Sequence, residues 1–338
     1  MIERINLVRR GSLLVGFLAL AAPTIVLVIL AVLGAATVLG SVLLGTILVV
    51  FTLAVARGIQ FEGYAAIRVL DVDPVDLDRM GAIAAAILVG TLATLALVIE
   101  GGITPVVAAS ITGIAVALVA PHLAVPAYCG AFVGMTSPIV FPTYWYGIAA
   151  AAVATLVYIT ALPVFHGVGG KLGTTAFVGT TVTIVLTRGE FLADPLPEWP
   201  EILLIVVLSA VGAICTYSLH TRLPPGPVLA SGLVGIAGGM ILPIMFGDPG
   251  VTMAAAVFAA SFAGMSDTTR VSSEWWMGIA GVAVGLTFVY TMPYLGGSGG
   301  KLGTIAFASC LAVYGVEGTF KLVRVRRYIS RVPERDVT

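Results

Sequence analysis

The chain alternates long apolar runs with short polar breaks. A helix needs about 20 apolar residues to cross roughly 30 Å of hydrocarbon, and stretches of that kind fall near 12–33, 36–56, 81–99, 103–121, 145–165, 200–218, 228–247, 275–295 and 304–320. Three shorter apolar segments occupy 123–137, 174–187 and 250–266. Counting all of them predicts an all-α polytopic membrane protein of twelve segments, an N-terminal hairpin followed by five plus five. If 123–137 and 250–266 re-enter the membrane without crossing it, the count is ten.

The five-plus-five division rests on an internal repeat with an offset of about 130 residues, the kind of pattern to be sought before any fold is assigned. Gly-Gly-Lys-Leu-Gly-Thr occurs at 169–174 and again at 299–304. At the same offset Pro163 matches Pro293, Gly167 matches Gly297, and Ala176-Phe177 matches Ala306-Phe307. Upstream, Phe132-Val-Gly134-Met135 matches Phe262-Ala-Gly264-Met265, and Trp145 matches Trp275. No convincing run of identity at that offset precedes residue 128, so the start of the first copy is placed by hydropathy. The resulting modules are a hairpin with an acidic loop (1–80), a first repeat (81–190), a second repeat (191–322) and a basic tail (323–338). Five segments per repeat, an odd number, would invert the second copy relative to the first. Four would leave the copies parallel. Inverted repeats with interrupted helices are a common architecture of secondary transporters.

The hexapeptide is the first candidate site. It carries Lys171 and Lys301, and the chain has only one other lysine, Lys321. A cation in a glycine run between apolar spans is costly unless an anion or a backbone carbonyl meets it. Gly169-Gly170 and Gly299-Gly300 let the backbone leave the helix, while Pro163 and Pro293 help to break it beforehand. The chain then restarts at Leu-Gly-Thr, where Gly173-Thr174 and Gly303-Thr304 open a new helix and the threonines are placed to cap it. Backbone donors, a cation and a positive helix end together would suit an anion. The competing reading is a plain loop whose lysine snorkels to the headgroups.

A second repeated element ends the short segments in hydroxyls: Thr136 and Ser137 in the first copy, Ser266 and Asp267 in the second. Such ends suit a half-helix with a solvated or ion-coordinating tip, or a simple interfacial turn. Here the copies diverge. Ser137 aligns with Asp267 and Val140 with Arg270, so the second copy carries charge that the first lacks.

Composition agrees with a lipid-solvated chain: 59% of residues are hydrophobic and 10% charged. Cytoplasmic loops carry the excess of Lys and Arg. With twelve crossings and both termini inside, 15 of the 17 Lys and Arg lie on the cytoplasmic side, and with ten crossings 14 do, so charge does not choose between the two. The expected location is the cell membrane, multi-pass, with N- and C-termini cytoplasmic.

Other polar groups rank lower. Glu100, Asp248, Glu317, His122, His166 and His220 fall near span ends and are expected to be interfacial. The loop 57–80, with Asp71, Asp73, Asp76 and Asp78, lacks the glycine and terminal glutamate of a calcium loop and reads as a solvated acidic turn. Cys129, Cys215 and Cys310 are too isolated for a disulfide framework. Gly296-Gly-Ser298-Gly-Gly300 matches G-x-S-x-G only formally, because a nucleophile elbow needs a strand before it. No enzyme, catalytic residue, metal or cofactor is expected.

These observations point to a secondary transporter of a small, anionic solute. The alternatives are a membrane-embedded structural or assembly subunit and a passive ion channel. Expected partners are the lipid bilayer and a small-molecule or ion substrate, with further copies of the chain as an option and no nucleic acid.

Overall fold

The computed structural model describes residues 2–38, 42–68, 76–222 and 226–329. The regular structure there is helical: α1 (Ile2–Val38), α2 (Val42–Arg68), α3 (Leu77–Ile99), α4 (Pro105–Val119), α5 (Ala124–Gly134), α6 (Tyr144–Thr160), α7 (Lys171–Leu186), α8 (Trp199–Arg222), α9 (Gly226–Phe246), α10 (Asp248–Gly264), α11 (Glu274–Thr291) and α12 (Lys301–Ile329). A 3-10 turn, Pro121–Leu123, leads into α5. Among the described residues the only β pairing is an isolated bridge between Leu192 and Gly296. Six helices, α1, α2, α3, α8, α9 and α12, contain stretches long and apolar enough to cross a membrane. The protein is an all-helical membrane protein.

Local chemistry sets several of the boundaries. Asp76 accepts the Arg79 amide at 2.9 Å and starts α3. Pro105, with its fixed φ and no N–H, is the first residue of α4. Ser273 accepts the Trp276 amide and starts α11. Trp145 and Trp275 both stand near the starts of their helices, α6 and α11, and are about three-quarters exposed, as interfacial aromatics are.

Between helices in lipid the hydrophobic effect gives little, so close backbone approach and van der Waals contact carry the packing. Helix α3 packs on α5 and α6, and α8 on α10 and α11. A Cβ built on Gly134 would stand 2.6 Å from the Thr91 carbonyl oxygen, and one on Gly264 2.6 Å from that of Ala213. Outward faces carry large exposed apolar residues such as Leu53, Leu118, Leu203 and Ile244.

The structure differs from the sequence reading in several places. The second span lies at 42–68 and not 36–56, so residues 57–68 of the expected aqueous loop are helix, with Glu62 only 2% exposed. The module boundary at 80/81 falls inside α3, because Asp76 caps that helix four residues earlier; Asp78 sits in its first turn, and Asp71 and Asp73 lie outside the described residues. Helix α12 runs past 322 to Ile329, into the expected tail, and the rest of that tail lies outside the described residues. Glu317, expected at an interface, is 5% exposed and paired with Lys321 at 2.7 Å.

Candidate functional site: two broken helices and two cavities

Each hexapeptide sits where one helix has ended and another begins. Phe165 and Leu295 have φ of 52° and 55°, Gly167 and Gly297 75° and 73°, and Gly170 and Gly300 83° and 84°. Three left-handed residues within six positions fold the chain back so that α7 starts at Lys171 and α12 at Lys301. Glycine is the residue that takes this conformation without steric cost. Thr174 and Thr304 therefore do not cap these helices as the sequence suggests. Gly170 is the N-cap of α7, and the threonine hydroxyls, one turn inside, donate back to the Gly170 and Gly300 carbonyls at 3.2 and 3.4 Å.

The lysines fold back onto the backbone. Lys171 Nζ donates to the carbonyls of Ala161, Leu162 and Val164 at 2.7, 3.2 and 2.6 Å. Lys301 Nζ donates to those of Thr291 and Tyr294 at 2.8 and 2.6 Å. These carbonyls belong to the ends of α6 and α11 and the turns beyond, where the last turn of a helix lacks intrahelical donors and its dipole is negative. Of the two kinds of partner open to a buried cation, the backbone carbonyl is the one that accepts these hydrogen bonds. An ammonium has three N–H donors. Lys171 uses all three on the backbone, Lys301 two.

Each hydroxyl tip docks on the hexapeptide more distant from it in sequence. Gly299 N–H donates to Thr136 Oγ1 at 3.1 Å, and Gly169 N–H to Ser266 Oγ at 3.0 Å. Ser137 N–H donates to the Gly297 carbonyl and Asp267 N–H to the Gly167 carbonyl, both at 2.8 Å. Gly173 lies against Gly303 with no side chain between them. Thr136, Ser137, Ser266, Asp267 and all of Gly169, Gly170, Lys171, Gly173, Thr174, Gly299, Gly300, Lys301, Gly303 and Thr304 thus fall in one central region. The Asp267 carboxyl accepts from the amide and hydroxyl of Thr269, which hold it below the usual carboxylate range.

Four rings pack beside this core in a matched pattern. Tyr128–Phe132 and Phe258–Phe262 have centroids 4.3 and 4.5 Å apart; across the pair, Phe132–Phe262 are at 4.4 Å, and the diagonals Tyr128–Phe262 and Phe132–Phe258 at 6.2 and 6.3 Å.

Two cavities flank the core. The larger, about 750 Å³, is lined by Gly296–Leu302 together with Met135 and Ser137. The smaller, about 400 Å³, is lined by His166–Leu172 together with Met265 and Asp267. The two sets match position by position at an offset of 130 residues, and no residue lines both. The larger cavity also carries Asp194, Glu198 and Glu201.

Two participants were not legible beforehand. Glu62 on α2 pairs with Arg270 and accepts the Phe165 amide at 3.1 Å. Leu192 exchanges two backbone bonds with Gly296 at 2.9 and 2.8 Å. For Glu62 the signal was a lone carboxylate inside Phe61-x-x-Tyr64-Ala-Ala-Ile67, a run that continues the apolar helix. Nothing marks Leu192.

The fold and its central region define an integral membrane protein with two facing broken helices. Comparison of the chain with protein-family models, with curated proteins and with solved structures finds no match.

Proposed function

We propose that the protein is a secondary transporter of a small, anionic solute, built from two five-helix units inverted relative to one another. The units correspond to residues 81–190 and 191–322, preceded by the hairpin within 1–80 and followed by the basic tail 323–338. The observation that carries the reading is the pair of cavities, lined by equivalent residues of the two copies and sharing none. Reciprocal contacts such as Thr136 to Gly299 and Ser266 to Gly169 are what a two-fold axis between the copies would produce. With five helices per unit, such an axis lies in the membrane plane, and the cavities face opposite sides. Rocking of one unit against the other would then expose one central site to each side in turn.

Two separate cavities favour this reading over a passive channel, which needs one continuous path. The preference for an anion rests on Lys301, which lines the larger cavity and has one N–H left after its two carbonyls. Lys171 has none left, so a bound anion would engage Lys301 first. One observation favours a structural subunit instead: both ammonium groups serve the fold by capping helix ends. We place the protein in the cell membrane as a multi-pass chain with both termini cytoplasmic, following the distribution of Lys and Arg.

Uptake by purified protein in sealed vesicles separates the two readings. A panel of radiolabelled carboxylates, phosphate and sulfate is presented with and without Na⁺ and pH gradients. A transporter accumulates at least one of them in a gradient-dependent way. A structural subunit accumulates none.

A further inference from the structure

The N-terminal hairpin belongs to neither repeat, and its most unusual residue is Glu62. Its carboxylate, 2% exposed, accepts N–H groups of the Arg270 guanidinium and the Phe165 amide. Arg270 also donates through Nε to the His166 carbonyl at 2.7 Å and lies 5.1 Å over the Tyr314 ring. One ion pair thereby joins α2, the left-handed turn after α6, the loop between α10 and α11, and α12. The turn it grips forms the wall of the smaller cavity from His166 onward.

Among the described residues the equivalent position in the other half has no such ion pair. Val140 stands in the place of Arg270, and the turn equivalent to Phe165-His166 is Leu295-Gly296. There the closure is neutral: Leu192 bonds the Gly296 backbone, and Val140 packs by Gly297. A neutral contact changes gradually, whereas an ion pair with a buried member is held while both partners are present, and removing Arg270 leaves the Glu62 carboxylate buried and uncompensated.

We infer that Glu62 and Arg270 form a one-sided latch by which the hairpin holds the smaller cavity in the conformation seen here. The latch lies on the edge of the cavity and needs no bound solute. It rests on the transport reading only for its second consequence, that releasing one side closes the other.

The test is the rate at which a charged maleimide labels single cysteines in detergent-solubilised protein, in a Cys215→Ser background that leaves only the buried Cys129 and Cys310. His166→Cys reports the smaller cavity and Asp194→Cys the larger. With the latch removed by Glu62→Gln or by Arg270→Gln, labelling at His166→Cys rises about fivefold or more, and the double variant adds nothing beyond either single one. Arg270→Lys, which keeps the charge and is the gentler change if a variant fails to fold, gives a smaller rise. Unchanged labelling at His166→Cys in folded variants, or fully additive effects, overturns the latch. A simultaneous fall at Asp194→Cys supports both the latch and alternation; a rise at His166→Cys without that fall keeps the latch and counts against the transport reading.

Discussion

Gly173 and Gly303 face each other at the centre of the molecule: a Cβ built on Gly173 would stand 2.5 Å from the Gly303 Cα, and one on Gly303 would press equally on the Gly173 backbone. Because the obstacle is backbone, no rotamer relieves it. Gly173→Ala and Gly303→Ala are each expected to destabilise the protein by about 1–3 kcal/mol. Since both crowd the same contact, the double variant departs from the sum of the singles. Thermal unfolding in detergent measures this, and a neutral Gly173→Ala contradicts the close approach.

The lysines differ in what they leave behind. Lys171→Met strips the donor from three carbonyls, Lys301→Met from two. An unsatisfied buried polar group costs about 1–3 kcal/mol, so both variants unfold more easily and Lys171→Met the more so. Anion affinity is expected to show the opposite order. Lys301→Met is expected to weaken it about tenfold to a hundredfold, the worth of a charge-assisted hydrogen bond, while folded Lys171→Met binds nearly as the parent does. Melting curves and equilibrium binding of the solute found by uptake check the two orders separately.

Thr136 and Ser266 use one hydroxyl twice, accepting from the opposite hexapeptide and donating to a carbonyl of their own helix, Val133 at 2.7 Å and Ala263 at 2.8 Å. Thr136→Val keeps the shape and leaves the Gly299 N–H without its acceptor, at a cost of about 1–3 kcal/mol. Thr136→Ser restores the acceptor and most of the stability. Equal melting temperatures for the Val and Ser variants would show that this bond does not hold the tip to the hexapeptide.

The helix breaks were legible because Gly-Gly and an upstream proline interrupt apolar runs on both sides of the repeat, and the backbone there does reverse direction through left-handed glycines. The short segments were legible for the same reason, α5, α7 and α10 falling close to 123–137, 174–187 and 250–266. What meets Lys171 was not legible. Carbonyl and anion satisfy an ammonium alike, and only the fold shows that the ends of α6 and α11 come within reach. Helix α2 was misplaced because Arg57 and Glu62 read as water-exposed charge. Glu62 is buried because Arg270, more than two hundred residues later, meets it, and no local pattern carries that information.

In the transport reading the two cavities open to opposite sides of the membrane, and Ser137 and Asp267 are equivalent residues lining one each. Single Ser137→Cys and Asp267→Cys variants in the Cys215→Ser background, labelled with a membrane-impermeant maleimide in right-side-out and inside-out vesicles, measure it directly. Each cysteine is expected to label from one side only, and the two sides to be opposite. Labelling of both from the same side would contradict that reading.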